Sequence, residues 1–230
     1  MQKKTKDELC KHVTYKSRPL LRPSVVKVRQ EKYKMLLKKG QLPIFIVNLV
    51  LLIVFGSIAF SKENYEFIGY LGVIIFFFVL ILATNKKHNL SNGILWGLTT
   101  WALMHMIGGL IIVKEQVVYK LTLINLIETS NFVILRYDQF VHMIGFGVAT
   151  LIAYSLLKSY LNKKTNMKVL SVLIILIGMG CGAFNEIIEF IAVLSLPETG
   201  VGGYYNTMFD MVFNTIGAIL AIIWINIKKG

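Results

Sequence analysis

Cysteine is almost absent from this sequence, with only Cys10 and Cys181 among 230 residues, which excludes a disulfide framework. Charge is scarce as well: 16% of residues are Asp, Glu, Lys or Arg, against about a quarter in soluble domains. Acidic residues number only 12, so the chain has a formal net charge of +13. No internal repeat or low-complexity tract is present. The first 41 residues lack the apolar core of a cleavable signal peptide, so none is expected.

What the chain has in abundance is apolar length. Hydrophobic residues make up 55% of it, at a mean hydropathy of +0.64. Runs long enough to cross a bilayer, about 18 residues or more, cover Leu42–Phe60, Phe67–Thr84, Ile94–Val113, Phe140–Leu157, Val169–Leu196 and Met208–Ile227. The expected fold is all-α: a polytopic membrane protein with a six-helix transmembrane bundle. Residues 1–41 form a basic tail, and residues 42–230 the transmembrane domain.

The positive charge is concentrated rather than spread, which argues against a nucleic-acid partner. Residues 1–41 hold 13 Lys or Arg and only Asp7, Glu8 and Glu31. With both termini in the cytoplasm, 21 of the 25 basic residues fall on the cytoplasmic side, leaving Lys62, Lys114, Lys120 and Arg136 outside. The positive-inside rule thus sets the orientation, and the expected location is the bacterial cytoplasmic membrane. Within the tail, Val25, Val28, Met35 and Leu36 can share one face of a helix among basic residues. Such a helix would lie on anionic lipid, although a solvated anchor is the simpler reading.

Ionisable groups inside spans are costly and mark function. In this orientation, His105, Asp138, His142, Asn185, Glu186, Glu189, Asp210 and Asn214 all fall in the outer half of the membrane. Asp138/His142 and Asp210/Asn214 are spaced i, i+4, and Glu186/Glu189 i, i+3, so each pair shares a helix face. Gly108, Gly109, Gly145, Gly147 and the pair Gly178/Gly182 allow helices to approach closely around them. These residues read as one outward-facing site.

Three readings of that site are open. His105, His142, Glu186, Glu189 and Asp210 could ligate a divalent metal such as Zn²⁺, Mn²⁺ or Fe²⁺, the ions that imidazole and carboxylate suit, although no H-E-x-x-H is present. Without metal, Glu186 or Glu189 acts as general base with His142 as its proton partner, while His105, Asp138, Asn185, Asp210 and Asn214 bind or orient. In the third reading the polar pairs only hold helices together. Lower in rank, Lys114–Tyr137 is expected to form an interfacial hairpin or a lid, Cys181 to be a small packing residue, and Trp96, Trp101 and Trp224 to face lipid or the interface.

The stretches MHMIGG (104–109), RYDQFVHMIGFG (136–147), NEIIEF (185–190) and FDMVFNTIGA (209–218) resemble the YjdF-like family of bacterial membrane proteins over residues 90–225. The last segment also resembles VanZ-like proteins, in which a helical Asp followed by Asn-Thr-x-Gly recurs. The resemblance implies a six-helix membrane protein and points to His105, Asp138, His142, Glu186, Glu189, Asp210 and Asn214. It implies no reaction, and VanZ-like proteins are associated with glycopeptide-antibiotic resistance. Gly203, Asn206 and Met208 stand where the YjdF-like pattern has Asp, Asp and Gln, which weakens a metal site if those are ligands.

The expected function is therefore a pocket that acts on or binds an envelope-associated, lipid-linked ligand. The alternative is a non-enzymatic transporter or accessory protein. Leu196–Gly200, LPETG, opens a third possibility. Followed by a span and a basic end, it has the order of a sortase signal, and cleavage after Thr199 would make this a processed surface protein. That cleavage would also remove Asp210 and Asn214, and no soluble extracellular domain precedes the motif. The segment from Leu196 to Thr207 reads more simply as a turn.

Overall fold

The computed structural model describes residues 37–228 apart from 89, 131, 163 and 198, with the side chains of 85–87 left out. The tail helix expected on anionic lipid lies outside the described residues, as do Glu198 of LPETG and Lys229. Six helices are long and apolar enough to cross a membrane. They are α1 (Leu42–Ser61), α2 (Tyr65–His88), α3 (Asn92–Leu110), α4 (Tyr137–Leu157), α5 (Met167–Ser195) and α6 (Tyr204–Ile227).

The helix ends follow local chemistry. Ser91 and Asn166 accept backbone N–H bonds from the first turns of α3 and α5, as N-cap side chains do. Pro43 sits in the first turn of α1, where its missing N–H leaves no hydrogen bond unmade. The Lys62 ammonium donates to the Leu110 carbonyl at 2.8 Å, placing a cation on the C-terminus of α3.

Two of the boundaries that differ from the apolar runs bear on the site. The third run was expected to continue to Val113, but the helix stops at Leu110. There Ile112–Val113 pairs with Gln116–Val117 as a two-stranded hairpin, β1 and β2, around Lys114 and Glu115, both with positive φ. Two consecutive left-handed residues are the geometry of a type I′ turn, whose twist suits a two-residue hairpin. The last helix begins at Tyr204 rather than Met208, which brings Asn206 inside it, so the preceding turn is shorter than the 196–207 segment expected.

Packing is uneven. Helix α4 packs most extensively against α6, with α5 and α3 on its flanks, whereas α1 and α2 touch chiefly each other and α3. Lipid tails are as apolar as Leu, so close van der Waals fit and buried polar contacts must hold such helices together. The α4–α6 crossing is tight enough that a Cβ on Gly147 would lie 3.2 Å from the Gly217 carbonyl oxygen. Gly178 and Gly182 of α5 face Thr150 and Asn214 in the same way.

Some expectations fail here. Cys181 is exposed on α5 rather than enclosed between helices. Trp96 and Trp224 are exposed as expected, but Trp101 is turned inward, stacked on His105 and covering Gly145. The small side of Gly145 is what lets the indole fit there.

Candidate functional site

His142 is the hub. It is buried on the first turns of α4, and its Nδ1 lies 3.1 Å from Asn214 Oδ1 on α6. An amide oxygen can only accept, so Nδ1 is the donor in this contact. Nε2 is 3.7 Å from Asp138 Oδ1 and 3.9 Å from Glu189 Oε1, while Glu186 Oε1 is 3.5 Å from Nδ1.

The α6 face continues the arrangement. Asn206, Asp210 and Asn214 recur every four residues and so project from one side. Asn206 Nδ2 donates to Asp138 Oδ2 at 3.1 Å and to Asp210 Oδ2 at 2.5 Å, joining α4 to α6 through two carboxylates. Asp210 and Asn214 are fully buried. On α5, Asn185 donates to Glu189 Oε1 at 2.7 Å, and Gly182 leaves the room that the Asn214 side chain occupies.

Several buried atoms in this cluster have no hydrogen-bond partner: Glu186 Oε1, Asp210 Oδ1 and Asn214 Nδ2. A buried polar atom without a partner is destabilising by about 1–3 kcal/mol, so these three positions are where a bound ion, water or ligand atom would stabilise most. Four carboxylates around one imidazole cannot all be ionised without further positive charge, so protons or a cation must make up the difference.

His105 sits apart. The structure places it in an aromatic box rather than among the carboxylates: Trp101 stacks on it at 5.5 Å between ring centres, Tyr70 meets it edge-on at 5.4 Å, and the Tyr119 hydroxyl bonds its Nδ1. Among the described residues, the groups of three that could share an ion are Asp138/His142/Asp210 and His142/Glu186/Glu189. His105 belongs to neither, whereas Asp138, which the metal-ligand expectation omitted, belongs to the first.

A cavity of about 590 Å³ connects the two parts, lined by Tyr70, His105, Tyr119, Asp138, Glu189 and Asn206 among others. That is within the range of small-ligand pockets. The segment after α3 contributes directly: Val117, Tyr119, Lys120 and Arg136 line the wall. It is thus a hairpin, as expected, but one that reaches the cavity. Leu135, with φ of 73°, turns the chain into α4, and Gln139 Oε1 accepts from the N–H groups of Leu135 and Arg136 at 2.6 and 3.1 Å. Burial and the nearby Asp138 and Glu189 carboxylates push the Tyr119 phenol well above its ordinary range, so it remains a hydrogen-bond donor.

The cluster forms where α4, α5 and α6 meet, and these helices fall within one family match. The family model described as "Predicted membrane protein (DUF2238)" matches residues 42–229. The chain belongs to this family. It is the YjdF-like family indicated by the four stretches above. The match covers all six spans and leaves out the basic tail, and it says nothing of the VanZ-like likeness. No curated protein and no solved structure matches the chain.

Sequence reasoning missed Asn206, Tyr70, Tyr119 and Arg136 as site residues. For Asn206 a signal existed, since it extends the Asp210/Asn214 spacing by one more turn. For the aromatic residues none did, because a Tyr in an apolar run looks like any packing residue.

Proposed function

We propose that this DUF2238 protein uses an intramembrane acid–base pocket, open to the outer face of the bacterial cytoplasmic membrane, to bind and process an envelope-associated, lipid-linked ligand. The observation that carries this reading is His142, hydrogen-bonded to Asn214 and ringed by Asp138, Glu186 and Glu189 within 3.9 Å, with Asp138 and Glu189 lining the cavity. Glu186 or Glu189 is the general base, and His142 accepts and returns the proton. Asp138, Asp210, Asn185 and Asn214 orient the reacting groups. His105, held by Trp101, Tyr70 and Tyr119, forms a wall that binds rather than reacts.

The lipid-linked part is supported by where the cavity lies, between the α1–α2 turn and the α4–α6 core, its lining carrying Lys62, Lys120 and Arg136 among the acidic Glu63, Glu66, Asp138 and Glu189. An anionic headgroup would pair with those three cations while its tail stays in the bilayer. Transport is the weaker reading. No Asp, Glu, Lys, Arg or His occurs in 148–157, 169–184 or 211–227, so no ionisable path continues through these helices.

Native mass spectrometry of the detergent-purified chain tests the reading. Wild type should retain an anionic lipid that Arg136→Ala and Lys120→Ala lose, and Glu189→Gln should retain it unprocessed. A folded wild type that holds no lipid beyond bulk membrane composition would sink the proposal. Labelling of Thr199→Cys by a membrane-impermeant maleimide in intact cells, with Cys10 and Cys181 replaced by Ser, tests the sidedness.

A further inference from the structure

Which of the two ligand triads an ion would choose is decided by what the neighbouring asparagines hold. In the His142/Glu186/Glu189 group, Glu186 faces the nitrogen already committed to Asn214, and Glu189 Oε1 accepts from Asn185 at 2.7 Å. The Asp138/His142/Asp210 group is arranged the other way. Asn206 binds the Oδ2 atoms of both aspartates, leaving Asp138 Oδ1 toward His142 Nε2 at 3.7 Å and Asp210 Oδ1 without a partner. Asp210 is fully buried, so that oxygen needs a partner held inside the bundle.

We infer that Asp138, His142 and Asp210 form a three-ligand site for one divalent transition metal, with Asn206 and Asn214 fixing the ligands and Glu186 and Glu189 left free for acid–base work. This rests on the pocket reading above and narrows it: an ion on His142 takes the nitrogen that would accept a proton, so acid–base work passes to Glu186 and Glu189 alone.

Distances and charge agree with the assignment. One ligand atom from each of the three residues lies within 4.8 Å of the other two. An ion at the centre of a triangle with sides of that length sits about 2.8 Å from each corner, so inward movements of about 0.7 Å reach the usual ~2.1 Å bond. The 3.7 Å separation of Nε2 and Asp138 Oδ1 is too long for a hydrogen bond but close to the ~3.4 Å between ligands on one tetrahedral ion. Two aspartates cancel the charge of a divalent cation, which removes the largest cost of burying them. One imidazole with two carboxylates suits Mn²⁺, Fe²⁺ or Zn²⁺, and three protein ligands leave positions open for a water or ligand oxygen from the cavity.

Asn214 on the far ring nitrogen and Asn206 on the far carboxylate oxygens are the outer partners such a site requires. Their removal should cost about 10–100-fold in affinity, the usual range for such partners.

The test is metal content and affinity in the purified full-length chain. Elemental analysis of wild type prepared without chelator, then Zn²⁺ and Mn²⁺ titration of the stripped protein by calorimetry, should give one ion per chain. Asp138→Asn and Asp210→Asn should lose it, Asn206→Ala should bind about 10–100-fold more weakly, and Glu189→Gln should keep it. Because an aspartate variant could fail to fold, Mn²⁺-loaded wild type is also measured by electron spin-echo modulation, which should report one directly bound imidazole nitrogen. Folded wild type that binds neither ion overturns the inference, as does loss of the ion in Glu189→Gln or a signal from two imidazoles. A metal-free protein that still retains its anionic lipid would overturn the metal site alone and leave the pocket reading standing.

Discussion

Replacing Gly217 by Ala should loosen the α4–α6 crossing on which the candidate site depends. A Cβ at this position would overlap the Met143 carbonyl oxygen and lie 2.9 Å from Gly147 N and 3.0 Å from Met143 C. All three are backbone atoms of α4, so no side-chain rotation relieves the overlap and the helices must separate. Forcing a methyl group into packed surroundings costs about 1–3 kcal/mol, and a backbone obstacle puts this case at the upper end. Ala is favoured over Gly inside a helix by about 1 kcal/mol, which leaves a net loss of about 2 kcal/mol. For a chain of this size, that lowers the melting temperature by roughly 4–8 °C. Intrinsic tryptophan fluorescence in detergent measures it, with Gly180→Ala as control, because nothing lies within 4 Å of a Cβ there. The control should melt at or slightly above wild type. If Gly217→Ala melts with the control, the close crossing does not hold the bundle and the argument fails. Separation should also stretch the 3.1 Å contact between His142 and Asn214, since both residues lie within a turn of the crossing.

Three further outcomes are expected. Tyr119, whose pKa is raised in the folded protein, contributes stability that is complete below about pH 10 and lost as the pH climbs through its folded value. Spectrophotometric titration should therefore find equal numbers of tyrosines ionising near pH 10 in wild type and in Tyr119→Phe; one fewer in the variant would refute it. Cleavage after Thr199 should not occur, because Gly200 N–H donates to Glu66 Oε2 at 2.7 Å and Thr199 lines the cavity. Intact-mass analysis of protein from sortase-containing cells should show the full chain, and a product ending at Thr199 would restore the sorting-signal reading. Leu123, Ile124, Leu126 and Ile127 are all exposed on the hairpin before α4, so they should sit in lipid. A spin label at Leu126→Cys, with both native cysteines replaced by Ser, should relax faster with oxygen than with a water-soluble nickel complex; the reverse order would place the tip in water.

The six spans were legible because a bilayer imposes one length and one composition on every crossing segment, whatever the tertiary packing. The site was partly legible for a related reason: so few polar residues occur within the spans that His142, Glu186, Glu189, Asp210 and Asn214 stand out individually, and helical spacing puts them on common faces. Which of them meet was not legible. His105 lies at the same end of the bundle as His142, yet the inward turn of Trp101, allowed by Gly145, encloses it among rings. Asn206 was hidden by a boundary: with the last helix begun at Met208 it belongs to a turn, and only the start at Tyr204 gives it a helical register with Asp210.

The bundle is divided in a way that suits such a site. The charged groups sit on α4, α5 and α6, whose glycine contacts bring the backbones close and leave side chains such as Asn214 little room to move. The opposite wall of the cavity comes from the α1–α2 turn and the start of α2, through Lys62, Glu66 and Tyr70, and these helices pack more sparsely. Under the proposed function, a closely packed wall carrying the acid–base groups and facing a more sparsely packed wall would let ligand shape vary without disturbing the 3.1–3.9 Å contacts around His142. Substitutions in α1 and α2 should therefore alter which ligand is held, whereas those in α4–α6 should alter whether anything happens to it.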